Sequence, residues 1–171
     1  MKVGVGDYAP GFSMNSVNKG LIELSRYSGA SLVLVFGRYF GCPVCQDDFD
    51  ELMELSGKTD VPIVYFTQSL EGSARKYLED YDIDFPVIPV PKVDGYRVYK
   101  DYGVGMMGFN TMLGILRRAG EVKNKGKVHG DYEGRETQSP ADFVIDGGGK
   151  IIHENRGLFD ADALLEFLKS L

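Results

Sequence analysis

The chain holds two cysteines, Cys42 and Cys45, and both sit in one CPVC motif. That motif constrains the fold more than any other feature, because of what flanks it. Ser31 to Phe36 reads SLVLVF, a continuous apolar run rich in branched side chains. Such a run predicts a strand buried on both faces. After the motif, Phe49, Leu52, Met53 and Ser56 follow Cys45 at i+4, i+7, i+8 and i+11. That spacing predicts one helical face, with Asp47, Asp48, Asp50, Glu51 and Glu54 on the remainder and Gly57 as the stop. The cysteines therefore stand where a central strand hands over to an amphipathic helix.

The rest of the chain extends this pattern. Val61–Gln68 predicts a second strand, Glu71–Tyr81 a helix, and Phe85–Val90 a short strand interrupted by Pro89. Tyr96–Tyr102 predicts a short helix with Tyr96, Tyr99 and Tyr102 on one packing face. Phe109, Met112, Leu113 and Leu116 recur at i, i+3, i+4 and i+7, which predicts another helix. Met106, Met107 and Met112 with Phe109 read as its core or packing surface. Arg117–Gln138 is polar and dotted with glycine, and reads as a long loop or insertion. Its cations Arg117, Arg118, Lys123, Lys125 and Lys127 read as a solvated run. Ala141–Ile145 and Lys150–His153 flank Asp146-Gly147-Gly148-Gly149 and predict a hairpin. A last helix begins at Asp160, a good N-cap, with Ala161, Leu164, Leu165, Leu168 and Leu171 as its stripe. Alternating strands and helices predict an α/β fold, a central mixed sheet with helices on both faces.

Size and composition narrow the classes. A chain of 171 residues suits one domain, 1–171, with the insertion around 105–138. Apolar residues at 43% and charged residues at 26% exclude disordered and collagen-like classes. A net charge of −6 argues against nucleic acid as a general partner. No apolar run approaches the ~18 residues a membrane span needs. The N-terminal stretch has no apolar leader, so the expectation is a soluble cytoplasmic protein.

Two cysteines three positions apart are a poor staple, since a bond between them closes almost no loop. A use for the pair is then chemical, with two inert core cysteines as the alternative. A Cys-x-x-Cys beside a βαβ pattern reads as a thioredoxin-like redox site. Unpaired N–H groups and the dipole at a helix start stabilise a thiolate. Cys42 at the helix entry is expected to be the more exposed and the attacking thiolate. Cys45 shares the apolar helical face, so it is expected to be more buried and to resolve. Asp47, Asp48, Asp50 and Glu51 oppose a thiolate, and Arg38 is the cation placed to offset them. Sequence leaves the sign of the net shift open. Zinc lacks the second half of its ligand set, because His129 and His153 are too far apart. No metal or cofactor is expected, and a c-type haem is excluded by Gln46 after Cys45. A redox switch or binding protein without turnover is the alternative to an enzyme.

Residues 6–45, with G-D-x-A-P-x-F, the apolar strand and the cysteine site, resemble the opening of the alkyl hydroperoxide reductase / thiol-specific antioxidant group. Residues 139–157, SPADFVIDGGGKIIHENRG, resemble that group's closing hairpin. The resemblance implies a peroxiredoxin-like member of the thioredoxin-like superfamily. It covers most of the chain outside Gly105–Gln138. Peroxiredoxins carry P-x-x-x-T-x-x-C, and here the same positions read RYFGCPVC. Cys45 falls on the peroxidatic position, Cys42 on the threonine and Arg38 on the proline. An arginine usual before the closing strand is replaced by Ser139-Pro140-Ala141-Asp142. In the thioredoxin-like pattern Pro140 matches a cis-proline facing the cysteines, with a strand-entry proline in a loop as the even alternative, and the Ser139 backbone helps to hold a disulfide substrate. Both patterns imply a thiol-dependent oxidoreductase ending in a Cys42–Cys45 disulfide. In one, Cys42 attacks a disulfide; in the other, Cys45 reduces a peroxide. The implied partners are a thiol reductant such as thioredoxin, glutaredoxin or glutathione, a peroxide or protein disulfide, and a second copy in a homodimer.

Overall fold

The computed structural model describes residues 2–171. In chain order the elements are β1 (Ser13–Asn15), β2 (Leu21–Glu23), β3 (Leu32–Phe36), α1 (Pro43–Ser56) and β4 (Ile63–Thr67). There follow α2 (Glu71–Tyr77), β5 (Val87–Pro89), α3 (Arg97–Asp101), α4 (Phe109–Lys123), β6 (Ala141–Ile145), β7 (Ile151–Arg156) and α5 (Ala161–Lys169). β1 and β2 form a small antiparallel hairpin. The others form a five-stranded sheet ordered β5-β4-β3-β6-β7. β3 is parallel to β4 and β4 to β5, while β6 and β7 run antiparallel, so the sheet is mixed.

Every residue of β3 is buried, as its unbroken apolar run requires. The pleat sends alternate residues to opposite faces. Leu32, Leu34 and Phe36 join Phe66, Ile88 and Phe143 on one face, under Tyr96, Tyr99 and Tyr102. The three tyrosines thus pack as their spacing predicts. Tyr99 donates its hydroxyl to the Gly37 carbonyl at 2.6 Å and Tyr102 to that of Pro10 at 2.7 Å. Val33 and Val35 join Tyr65 and Val144 on the other face, against Phe49 and Leu52 of α1 and Leu164 of α5. Helices therefore cover both faces. Asp160 caps α5 by accepting the Ala163 N–H at 3.0 Å.

Three local expectations need correction. Helix α2 ends at Tyr77, and residues 78–80 tighten into a 3₁₀ turn. Arg117–Lys123 is not loop but the second half of α4. The orientation of α4 also differs from its apolar spacing. Phe109, Leu113 and Leu116 face outward, with Met106 exposed beside them, and Met107, Ile115 and Val122 are buried. The reason lies on α1, which offers carboxylates to this helix. Arg118 must turn toward them, and that rotation carries Ile115 and Val122 inward.

After α4, residues 124–138 form a strap that returns over the cysteine motif. Gly130 donates its N–H to the Gly41 carbonyl at 2.8 Å. The Gln46 amide donates to the carbonyls of Phe40 at 2.8 Å and Val128 at 3.0 Å. The contact is so close that a Cβ on Gly41 would lie 2.3 Å from the Asp131 carbonyl oxygen. Only glycine fits there.

Candidate active site

Gly37–Gly41 leads from β3 into α1, and Cys42 is the residue that caps the helix start. Its backbone is extended, with φ −80° and ψ 120°, and Pro43 follows at the first helical position. Proline is tolerated there because its missing N–H would have no partner within the helix. The Gln46 N–H closes the first turn on the Cys42 carbonyl at 3.0 Å. Both cysteines are free thiols.

The sequence predicts an exposed Cys42, and this needs correction. Cys42 is 4% exposed and Cys45 5%, so accessibility does not distinguish them. The strap is the cause, because it lies over Gly41 and Gln46. Electrostatics distinguishes the two thiols instead. The Cys42 thiol is lowered to about 6. The main cause is the hydrogen bond from the Cys45 thiol; burial opposes it, and Arg38 and the N–H groups of Cys45 and Val44 add to it. Cys45 is pushed well up, because its proton serves that bond and because it is buried beside the Cys42 charge. A thiolate at Cys42 with a protonated Cys45 is the state this arrangement favours.

Arg38 stands against the Cys42 sulfur. Its Nη1 lies 3.6 Å from Cys42 Sγ, and its Nη2 donates to Glu136 Oε2 at 3.2 Å. The Tyr39 hydroxyl donates to the other oxygen of Glu136, and His129 Nε2 lies 3.3 Å from that hydroxyl. Glu136 and His129 come from the strap. No signal in the sequence marked them, since neither has a periodic or motif neighbour pointing to Arg38 or Tyr39. Arg135, the nearest arginine before β6 in the chain, lies over the Tyr96 ring, 5.2 Å from its centroid.

The acidic residues after Cys45 are not a free negative surface. Arg118 Nη2 pairs with Asp47 at 2.6 Å, and its Nη1 pairs with Asp48. Lys125 reaches Asp47 at 3.0 Å, and Lys127 pairs with Asp50. The basic run expected to be solvated is in part a clamp on α1: Arg118, Lys125 and Lys127 neutralise the charges that would oppose a thiolate.

Ser139 and Pro140 lie at the entry to β6, and Pro140 lines a small enclosed cavity with Cys45, Asp48, Tyr65 and Phe159. The resemblance implies a cis-proline and a Ser139 backbone free to hold substrate. Neither is found. The bond into Pro140 is trans, as are all peptide bonds among the described residues. The Ser139 N–H donates to the Gly105 carbonyl at 2.9 Å, and its own carbonyl accepts from the Gln138 amide at 3.2 Å. No group of three or more His, Cys, Asp or Glu side chains able to hold a metal ion occurs among the described residues.

A dithiol at the start of the helix that follows the central strand, on a mixed sheet covered on both faces, defines a thioredoxin-like thiol oxidoreductase. Comparison with known proteins gives the family. The model of the AhpC/TSA family matches residues 5–154, and the chain belongs to that family. A thiol-disulfide oxidoreductase ResA from Bacillus thuringiensis is 24% identical over 174 positions, covering 99% of this chain and 80% of that protein. Among solved structures, a putative thiol:disulfide interchange protein DsbE from Chlorobium tepidum superposes with a TM-score of 0.67 at 22% identity. It covers 99% of this chain and 97% of that one. A thiol peroxidase from Chromobacterium violaceum gives 0.68 at 15% identity, covering 99% and 88%. The two superpositions are likenesses of fold.

Proposed function

We propose that the protein carries out thiol–disulfide exchange, with Cys42 as the attacking thiolate and Cys45 as the resolving thiol. The observation that carries this reading is the Arg38 guanidinium at 3.6 Å from Cys42 Sγ, at a helix start that also lowers that thiol. The thiolate attacks a substrate disulfide and forms a mixed disulfide, and one substrate sulfur leaves as a thiolate. Cys45 then attacks Cys42 Sγ, closing the Cys42–Cys45 bond and releasing the second substrate thiol. An external dithiol or two monothiols restore the reduced pair. Arg38 keeps a buried Nε–H without a partner, the donor proposed to meet the incoming sulfur. The names of the ResA and DsbE relatives support the same chemistry.

Peroxide reduction at Cys45 is the second reading, favoured by family membership and by the thiol peroxidase neighbour. It asks the more strongly protonated thiol to attack. Mass measurement on reduced protein separates the two. One equivalent of a small aromatic disulfide should remove two hydrogens within seconds, and Cys42→Ser should abolish this. One equivalent of hydrogen peroxide should act slowly. Fast peroxide oxidation that survives Cys42→Ser would overturn exchange in favour of Cys45 as the peroxidatic thiol.

A further inference from the structure

The inner face of α4, with Ile115 and Val122, closes over the cysteines. Its outer face is apolar as well. Phe109, Leu113 and Leu116 are 73%, 45% and 64% exposed, with Met106 and Met112 exposed beside them. Exposed apolar patches above about a few hundred Å² are rare on soluble monomers and mark interaction sites. A glycine on the same face is a second, independent observation. Phe109, Leu113, Leu116 and Gly120 stand at i, i+4, i+7 and i+11, one line along the outer face. Glycine inside a helix is destabilising, so it needs a reason. Gly114 has one within the chain, since a Cβ there would lie 2.4 Å from Leu158 Cδ1. Gly120 has none within the chain, since a Cβ there would meet nothing within 4 Å. A bare helix surface of this kind suits the close approach of another chain.

We propose that the outer face of α4 is the interface of a two-fold symmetric homodimer, with two α4 helices packed antiparallel. A two-fold interface must be self-complementary: where residue i meets j, j meets i. An axis between Gly114 and Ile115 brings Leu113 onto Leu116 of the partner subunit and Phe109 onto Gly120 of the partner subunit. The largest side chain of the line thus meets the position that has none, so the two helix axes can come close. A stable pair buries about 800 Å² on each partner, an apolar centre within a polar rim. The apolar line is such a centre, and the exposed Asn110, Arg117 and Glu121 flank it as the rim. No charge lies on the line itself, so pairing leaves none buried without a partner. The pair backs α4 from outside while its inner face covers the thiols, which sets the two cysteine sites on either side of the interface.

The test begins with sedimentation equilibrium of the full chain over roughly 1–200 μM, the weak end of affinities for an interface of this size. A monomer–dimer equilibrium is expected, and a monomer throughout would overturn the proposal and leave the face to a different partner. Leu116→Glu should give a monomer with the wild-type melting temperature, because its site is exposed. Gly120→Leu should weaken the dimer about tenfold or more by filling the hollow, while it stabilises the helix itself. A dimer that both variants leave intact would place the interface elsewhere and overturn the proposal. Phe109→Cys together with Gly120→Cys, on a Cys42→Ser/Cys45→Ser background, fixes the register. Within one chain these two positions are about 16 Å apart along the helix, too far for a disulfide. Mild oxidation should therefore give a covalent dimer, and Phe109→Cys alone should not. Cross-linking of the single variant, or none in the pair, would overturn the antiparallel arrangement.

Discussion

The sheet that leads into the cysteine motif is held by apolar packing. Phe36 stacks on Phe66 at 4.7 Å and meets Tyr99 edge-on at 5.1 Å, all fully buried beneath the loop that carries Arg38. Over the motif itself lie residues 109–138, where Ile115 and Val122 join Cys42, Val44 and Cys45 in a buried apolar cluster and charge adds to the hold. Arg118, Lys125 and Lys127 grip Asp47, Asp48 and Asp50, and Arg38 and Tyr39 grip Glu136. The sheet is fixed by area removed from water, and the cover by a smaller apolar cluster together with ion pairs of differing exposure. The difference teaches where the site can open. Apolar packing is insensitive to salt, whereas exposed ion pairs are screened by it. Access to a buried Cys42 should therefore come through the strap.

The largest loss of stability is expected in the sheet. Phe36→Ala should lower the free energy of unfolding by about 4 kcal/mol in a urea titration. Arg118→Ala comes next. It leaves Asp47, almost wholly buried, and Asp48 without their guanidinium, and should cost about 3 kcal/mol. It should also speed alkylation of Cys42, because it loosens the anchor of the strap, whereas Phe36→Ala should not at urea levels below its own transition. Lys125→Ala is the smallest. Its side chain is 56% exposed, so the change should be under about 1 kcal/mol and fade as salt rises. Equal effects of the two cation variants would mean that burial does not grade the clamp.

The sequence marked the sheet side well and the strap side poorly, for a physical reason. SLVLVF, the tyrosine triplet and the Asp160 cap are local patterns, and each decides its own structure over a few residues. CPVC placed both cysteines at the helix start by the same local logic. The clamp is not local: Arg118 and Asp48 are 70 residues apart, and Arg38 and Glu136 are 98 apart. No periodicity connects such pairs. The basic run and the acidic helix were each visible, but not that they meet. The burial of Cys42 and the orientation of α4 follow from that meeting. β1 and β2 escaped for another cause, as three-residue strands offer too little alternation to read.

Cys42 and Cys45, two thiols of equal exposure, differ in charge state. The most direct test is the rate of iodoacetamide alkylation at each cysteine, mapped by peptide mass between about pH 5 and pH 10, near and beyond ordinary thiol values. A thiol alkylates as its thiolate, so a lowered thiol reaches its plateau at lower pH. Cys42 should rise through a midpoint of about 6 and be level by neutrality. Arg38→Met should move that midpoint upward. Cys45 should stay unmodified until strongly alkaline pH. Coincident profiles with one midpoint near the ordinary thiol value, or earlier alkylation of Cys45, would contradict the account.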